Sequence, residues 1–287
     1  MVDRKNATAA VAAGTSTTAG ILSPERLAQH VNLTRLACGD SASAWVENYW
    51  LLRWDLPDGV SYRSSTLPHP ACTLSVERGR VRTGVADVGP VVATGVLTRR
   101  FDVTIAESGW VFGVKFRPGG FASMTGTSAR TLRDVLVAAP SMFAPDAVAA
   151  LGALGPDDDP DRCAAVADEA LSIQDAHVEP AYSAVLSIVA TMLNDRTLLR
   201  VSDVERACDI GTRHLQRLFE RYVGTTPKWV LNRYRIHDAI TDLDDGFSGS
   251  IADLAARYAW FDQAHFTREF TELVGVPPSD YRSRRLA

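Results

Sequence analysis

The chain has 287 residues, of which 46% are hydrophobic and 22% are charged. That length suggests two domains, and that hydrophobic fraction is sufficient for a core in each. The formal net charge of −4 excludes a protein that coats nucleic acid through overall positive charge. The four cysteines have neither metal-ligand nor disulfide spacing, so we expect free thiols in a reducing cytoplasm; they are Cys38, Cys72, Cys163 and Cys208.

The first 22 residues are rich in Ala, Thr, Ser and Gly, and we predict a disordered tail over 1–22. Arg4 and Lys5 precede an alanine run, as in a signal peptide. Alanine is weakly apolar, however, and Gly and Thr interrupt the run. No stretch is long and apolar enough to span a membrane. Ser23 as a cap, followed by Pro24, predicts a short helix over 23–32.

Residues from about 45 to 121 change to the pattern of short β-strands. Aromatic and β-branched residues dominate, and Gly or Pro bounds each run. Several short strands at near-regular spacing favour an antiparallel barrel or sandwich. The predicted strands cover 45–56, 61–67, 71–77, 91–106 and 110–117. The aromatic residues interpreted first as core and second as pocket are Trp50, Trp54, Trp110, Phe112 and Phe116.

This β region has few residues suited to metal chemistry. His69 is its one histidine and lies between two prolines, where a loop residue is expected. A metal-binding barrel needs several converging His or carboxylate ligands, so we predict no metal site, no cofactor and no catalytic residue. Arginines can bind an anionic effector, although strand arginines more often pair with acids on the surface. The effector-binding candidates are Arg53, Arg63, His69 and Arg117.

Helical periodicity returns after residue 128. Helices are predicted over 128–139, 144–155 and 161–176, with a turn or hinge at 156–160. Helices that follow a barrel commonly supply a dimer interface or the joint to the next domain. We therefore predict a β domain over 23–145, a helical linker or dimerisation segment over 146–178 and an all-α domain over 179–287.

The all-α domain contains two unequal copies of one pattern, over 201–228 and 250–279. Each copy is a short helix, a brief break and a second helix that ends at Gly. Two helices joined by a short turn form a helix-turn-helix, whose second helix reads the major groove of DNA. An ordinary helical bundle with solvated arginines is the alternative. The matching Phe-x4-Gly endings of the two copies favour DNA binding.

The second helices are predicted over 212–223 and 262–273, with Thr212 and Asp262 as caps. Their outer faces carry Arg and Gln, which suit bidentate pairing with guanine and adenine edges. Between the copies, Thr226 and Pro227 begin a further helix that ends before Gly246. A rigid spacer of that length suits recognition helices set in successive major grooves.

The motifs RHLQRLFE at 213–220, GTTPK at 224–228, FDQAHFTREFT at 261–271 and VGVPPSDYR at 274–282 resemble the DNA-binding domain of AraC/XylS family transcription regulators. That resemblance implies seven helices, promoter DNA as the partner and no enzymatic activity. Three further partners are candidates: RNA polymerase, as for an activator; a small-molecule effector; and a second copy of the chain, in a homodimer. The base-reading residues that it implies are Arg213, Gln216, Arg217, Gln263, Thr267 and Arg268. The predicted phosphate contacts are Thr212, Arg221, Lys228 and Arg233.

Three positions depart from the family pattern. Asp209 and Ala259 occupy turn positions that are usually Gly, and Glu205 replaces a small residue that lets the two helices of the first unit approach. Ala255 keeps the small residue in the second unit. We therefore expect the first unit to pack more loosely and the second unit to dominate specificity.

The motifs TLPHP at 66–70 and KFRPGGF at 115–121 resemble, more loosely, an uncharacterised subgroup of the family's cupin-like sensory domains. The expected fold class is therefore α+β: a cupin-like antiparallel barrel or sandwich with flanking helices, then an all-α domain with two helix-turn-helix units. The alternatives are a cupin-like metal-binding protein or enzyme with an appended helical domain, and a constitutive architectural DNA-binding protein whose β domain only dimerises.

Overall fold

The computed structural model describes residues 20–79, 89–172 and 178–286. An antiparallel β region precedes an all-helical region, which confirms the predicted α+β class. The tail prediction for residues 1–19 lies outside the described residues. Its boundary at 22 is wrong, because Leu22 N donates to Ser65 O at 3.1 Å and Leu67 N donates to Gly20 O at 2.7 Å. Residues 20–22 therefore pair alongside a strand.

Eight strands form two sheets in the described residues. The larger sheet has the order β1-β2-β7-β4-β5-β8, and the smaller pairs β3 with β6. All the pairings are antiparallel, as the predicted barrel or sandwich requires. The strands are β1 Asn32–Leu36, β2 Val46–Asp55, β3 Ser61–Thr66, β4 Thr73–Gly79, β5 Val91–Thr94, β6 Phe101–Ala106, β7 Ser108–Phe116 and β8 Leu136–Ala138.

The larger sheet has two chemically different faces because side chains alternate along each strand. One face of β7 carries Trp110, Phe112 and Phe116 into a buried, mainly apolar core, which confirms their core assignment. The other face carries Val111 and Lys115 towards the smaller sheet. Polar side chains such as Lys115 therefore lie on this second face of the larger sheet.

Four helices belong to the β domain: α1 Pro24–Ala28, α2 Gly120–Thr125, α3 Pro145–Gly152 and α4 Pro160–Ala170. Helices α3 and α4 cover the apolar face of the larger sheet, where Leu151, Cys163 and Ala167 join its core. Residues 146–171 of the segment predicted as a linker are thus part of the β domain. All four cysteines are free thiols, as expected; Cys72 and Cys163 are buried, and Cys38 and Cys208 are half-buried.

Two β-domain predictions are wrong. The helix predicted over 128–139 is a short 3-10 turn at Ala129–Leu132 followed by β8, which pairs with β5. The single strand predicted over 91–106 is two strands, β5 and β6, in different sheets. Strand β1 was not predicted; the helix predicted over 23–32 ends at Ala28, and Asn32 begins β1 instead.

The helical domain has seven helices among the described residues, as the resemblance implies. The two helix-turn-helix units are formed by α6 with α7 and by α9 with α10, and α8 joins them. The helices are α5 Pro180–Asn194, α6 Val201–Ala207, α7 Thr212–Leu218, α8 Pro227–Asp244, α9 Ile251–Arg257, α10 Gln263–Val274 and α11 Pro278–Leu286.

Candidate nucleic-acid interface

The first helix-turn-helix unit is held by a capped α6 and an apolar contact with α7. Asp203 accepts hydrogen bonds from the backbone N–H groups of Arg200 at 2.8 Å and Leu199 at 3.2 Å, so its carboxylate satisfies the free amides at the start of α6. Val204 and Leu215 are fully buried between the helices. Glu205, the departure noted in the sequence, is half-buried without displacing that contact.

The first recognition helix is not a uniform α-helix. After Leu218 it widens into a π-helical turn over Phe219–Val223, where Gly224 N donates to Phe219 O at 2.8 Å. Such turns bulge the backbone. Its N-cap is Gly211, so Thr212 is the first helical residue rather than the predicted cap. The helix thus offers free backbone N–H groups at its N-terminus.

The outer face of this helix is polar and open. Arg213, Gln216 and Arg217 are all exposed, as the base-reading assignment needs. The Arg217 guanidinium lies 2.8 Å from His214 Nδ1. This contact holds the Arg217 side chain along the helix.

The second unit repeats this construction, with a serine as the N-cap residue. Ser250 and Asp253 form a reciprocal capping box at the start of α9. The Asp262 carboxylate accepts from His265 N at 2.7 Å, which confirms Asp262 as the cap of α10. Phe266 and Phe270 are fully buried beneath the helix.

On the second recognition helix, Gln263 and Arg268 are exposed and Thr267 is half-buried. Sequence reasoning missed the importance of Glu269. Its carboxylate accepts from Trp260 Nε1 at 2.7 Å and lies 3.1 Å from His265 Nε2. The i,i+4 spacing of His265 and Glu269 was a signal for this contact. Glu269 therefore joins the turn to the recognition helix.

Three of the four predicted phosphate contacts are accessible, namely Thr212, Arg221 and Lys228. Arg233 is not: only 4% of it is exposed, and its Nε donates to Pro68 O of the β domain at 2.7 Å. The prediction for Arg233 is wrong because the β domain covers this part of α8. Arg233 is instead a contact between the domains.

Arg196 joins the two units. It lies after α5, its guanidinium pairs with Asp238 at 3.1 Å and with Asp242 at 3.0 Å on α8, and it donates to Tyr258 OH at 2.7 Å after α9. Burial raises the pKa of Asp238 to about 6, although the Arg196 charge opposes this. The network ties the segment before the first unit and the end of α9 in the second unit to the same stretch of α8.

The C-terminal ends of both recognition helices rest on the β domain. Gly224 has φ +80°, and a Cβ there would lie 2.5 Å from Ala129 O. At the other unit, Arg100 Nη1 donates to Val274 O at 3.0 Å. Asp102 holds Arg100 in place with a carboxylate contact at 2.9 Å. The N-terminal ends, which carry the predicted base readers, stay exposed.

A cavity of about 300 Å³ lies between the two sheets of the β domain. Trp50 and Trp54 form much of its wall and lie flat against Gly113 and Gly109, where an added Cβ would come within 2.0 Å of either indole. Ile105 and Val111 make the same region apolar. The wall therefore suits a flat apolar molecule.

One end of the cavity is polar. Lys115 lies there between Asn48 and Thr73 on the neighbouring strands and pairs with Glu47 at 2.9 Å. A register shift between Val46 and Asn48 brings Glu47 to Lys115. Burial lowers the pKa of Lys115, and Glu47 opposes this effect. Lys115 could have been found from the sequence. Side chains alternate along a strand, so Lys115 lies on the same face of β7 as Val111 and on the opposite face from the core residues.

The four effector-binding candidates lie in different environments: one lines the cavity and three do not. His69 lines the cavity, and burial holds its pKa well below the usual range, with the charge of Arg233 acting in the same direction. The ring is therefore neutral. The three arginines lie outside the cavity wall: Arg53 donates to Asp158 O, Arg63 pairs with Asp102 at 3.0 Å, and Arg117 donates to Ser43 O at 2.8 Å. They are held by contacts within the protein.

Among residues 20–79, 89–172 and 178–286, no three His, Cys, Asp or Glu side chains are grouped closely enough to hold a metal ion. Within the same residues, none of the helices combines the length and apolar character needed to cross a membrane.

Two family matches cover the two domains separately. Residues 205–284 match a family described as a helix-turn-helix domain. Residues 39–138 match a domain of unknown function, DUF6597. The first match contains nearly all of both helix-turn-helix units, and the second contains most of the β domain.

Curated relatives match about a third of the chain. The transcriptional activator AarP of Providencia stuartii is 28% identical over 102 residues, 35% of this chain and 75% of AarP. The probable transcription factor PqrA of Proteus vulgaris is 26% identical over 98 residues, 34% of this chain and 80% of PqrA. The lactose operon transcription activator of Staphylococcus xylosus is 30% identical over 84 residues, which are 29% of this chain and only 30% of that activator.

Solved structures of ToxT from Vibrio cholerae align along most of the chain. One is 15% identical, covers 88% of this chain and 97% of ToxT, and has a TM-score of 0.38. A second, of ToxT with bound unsaturated fatty acid, is 15% identical, covers 88% of this chain and 94% of ToxT, and has a TM-score of 0.32.

Proposed function

We propose that this chain, a member of the AraC/XylS family of transcription regulators, binds promoter DNA through both helix-turn-helix units and adjusts that binding through its β domain. The observation that carries this proposal is the pair of recognition helices with polar, exposed N-terminal faces on one rigid domain. Promoter binding would place the protein in the cytoplasm with the chromosome. The role requires no catalysis.

The geometry of α8 supports simultaneous reading of two grooves. Its 18 residues span about 27 Å at about 1.5 Å per residue. With the bodies of the two units added, that length is compatible with major grooves about 34 Å apart on one DNA face. The Arg196 network holds the units against α8, so one chain can read an asymmetric site of two half-sites.

The proposed base contacts are Arg213, Gln216 and Arg217 from the first unit and Gln263, Thr267 and Arg268 from the second. Arginine suits guanine and glutamine suits adenine. Because Thr267 is half-buried and its side chain is short, it can contact only a base that lies close to the surface of the helix. Thr212, Arg221 and Lys228 serve the phosphates, together with the free N–H groups at the start of α7.

The β-domain cavity is the proposed effector site. Its wall combines flat indoles with a polar end formed by Lys115, Asn48 and His69. A small molecule with an apolar, flat body and one polar group that accepts hydrogen bonds fits this arrangement. Homodimerisation and contact with RNA polymerase are further parts of the proposed role, as in activators.

The cavity wall is also the docking surface for α8. Leu67 packs with Ile236 in the core of the second unit, and Pro68 O accepts from Arg233. His69, the next residue, lies 3.4 Å from the Arg233 guanidinium and lines the cavity. A ligand that displaces residues 67–69 must therefore also change the contact with the helix that joins the two units.

Two experiments test the two parts separately. Selection of DNA sites from a random library by the full chain should yield two half-sites about one helical turn apart; recovery of no preferred sequence would refute promoter recognition. For the β domain, Val103→Phe fills the cavity, and its matched control Val135→Phe adds the same ring at an exposed position. Val103→Phe should change affinity for the selected site. Equal affinities of both variants and wild type would refute the coupling.

A further inference from the structure

The turns of the two helix-turn-helix units differ by one residue. Each turn begins with a residue at positive φ, Asp209 in the first unit and Ala259 in the second. In the first unit, Ile210 alone separates this residue from the N-cap Gly211, whereas in the second unit Trp260 and Phe261 precede the N-cap Asp262. The equivalence of Ile210 and Trp260 is fixed by their matching backbone hydrogen bonds to Glu205 O and Ala255 O. Phe261 is therefore the additional residue.

Phe261 is exposed to an extent unusual for an aromatic side chain. It is 91% exposed, whereas the other exposed large hydrophobic residues of the described chain are 36–40% exposed. The adjacent Trp260 is buried and packs against Tyr258 and Phe266, with ring centroids 6.4 and 4.8 Å apart. The turn thus places one aromatic ring in the core and the next one in solvent, although a polar residue would be better solvated at the second position.

The position of Phe261, next to the start of a recognition helix, gives its exposed ring a role in DNA binding. It precedes the cap of α10 and lies two residues before Gln263, and recognition helices enter the major groove by their N-terminal residues. Glutamine pairs with adenine there, and the thymine opposite adenine presents its C5-methyl group in the same groove. An exposed aromatic ring beside Gln263 is therefore well placed to cover that apolar methyl group.

We propose that Phe261 is a specificity residue that contacts the C5-methyl group of a thymine at the half-site read by the second unit. This inference rests on the proposed DNA binding and goes beyond it, since none of the predicted base readers is apolar. The first unit lacks the contact, because its shorter turn has no equivalent of Phe261. Phe261 thus adds a preference for thymine to the second half-site alone.

The test uses the full chain and the duplex that wild type selects from a random library. Each thymine of the second half-site is replaced in turn by deoxyuridine, which lacks only the methyl group. For wild type, one such replacement should weaken binding about fourfold, the effect expected for one buried methyl-sized group. Phe261→Ala should bind the unmodified duplex about fourfold more weakly and should lose sensitivity to that replacement. Phe261→Leu should keep part of it.

The controls separate the possible failures. As a control, Val60→Ala shortens a different exposed hydrophobic side chain, in the β domain, and should leave DNA binding unchanged. Removal of the exposed Phe261 ring leaves the core intact, so the variant should match wild type in thermal unfolding. If wild type selects a site but Phe261→Ala binds it equally well, the inference is wrong. A loss with Phe261→Ala that is independent of deoxyuridine would also overturn it. Failure of wild type to select any site would overturn the proposed function itself.

Discussion

The Ala259→Gly substitution should stabilise the protein. Ala259 follows α9 at φ +52°, in the left-handed region, and is exposed. The side chain therefore contributes little packing while its Cβ strains the backbone. Asp209 holds the equivalent place in the first unit at φ +48°. Both positions are the ones at which the family pattern has Gly.

The magnitude follows from two opposing effects. Relief of left-handed strain at an alanine contributes about 1–2 kcal/mol. The greater freedom of glycine in the unfolded chain removes about 0.4–1 kcal/mol of that gain. The net effect of Ala259→Gly should be a stabilisation of about 0.5–1 kcal/mol. Asp209→Gly should give less, since the short polar side chain of aspartate tolerates this region better.

Denaturant unfolding of the full chain, followed by circular dichroism, measures these differences as shifts in midpoint at constant slope. The matched control is Ala256→Gly, three residues earlier on the exposed side of α9, which should destabilise by up to about 1 kcal/mol because glycine loses more backbone freedom than alanine on entering a helix. Equal destabilisation by Ala259→Gly and Ala256→Gly would refute the assignment of strain to the turn.

Three further predictions concern recognition and pH. Arg217→Ala and Arg268→Ala should each cost about 1–3 kcal/mol of DNA binding and relax preference at one base position, which site selection measures; the loss should be larger for Arg268. Lys228→Ala should weaken all sequences alike and make the slope of log K against log salt shallower by about 0.9, from a wild-type slope much shallower than −10. Burial depresses the pKa of His69 in the folded protein below its unfolded value of about 6.5. The full stability is therefore present above pH of about 6.5, and the free energy of unfolding decreases as the pH falls below it, because the unfolded chain then binds a proton that the folded ring resists. In unfolding experiments at pH 7.5 and 5.5, His69→Gln should reduce that loss.

Features that depend on neighbouring residues in sequence were predictable. The cap at Asp262, the glycine ends at Gly224 and Gly275 and the positions of β2, β3 and β7 all follow from local spacing. The pairing of β8 with β5 depends on a distant strand, and its segment carries a helix-like apolar spacing that tertiary contacts override.

Arg233 illustrates why site residues were harder to predict than helices. Periodicity on α8 cannot reveal that the β domain packs on one side of this helix, so an arginine there looks available to phosphate. In the structure its hydrogen bond to Pro68 crosses 165 residues of sequence. Lys115, by contrast, could have been found from strand alternation, but it was not among the predicted candidates, most of which were arginines.

The contacts between the domains indicate how the β domain can act on DNA recognition without blocking it. The β domain touches the ends of the recognition helices, at Gly224 and Val274, that lie farthest from their base-reading residues. It also holds α8, the connection between the two units, through Arg233. Movement at these three points would tilt or separate the recognition helices, while their N-terminal faces remain open in either state. Regulation by an effector should therefore change the preferred spacing or affinity of the two half-sites rather than switch access to DNA on and off.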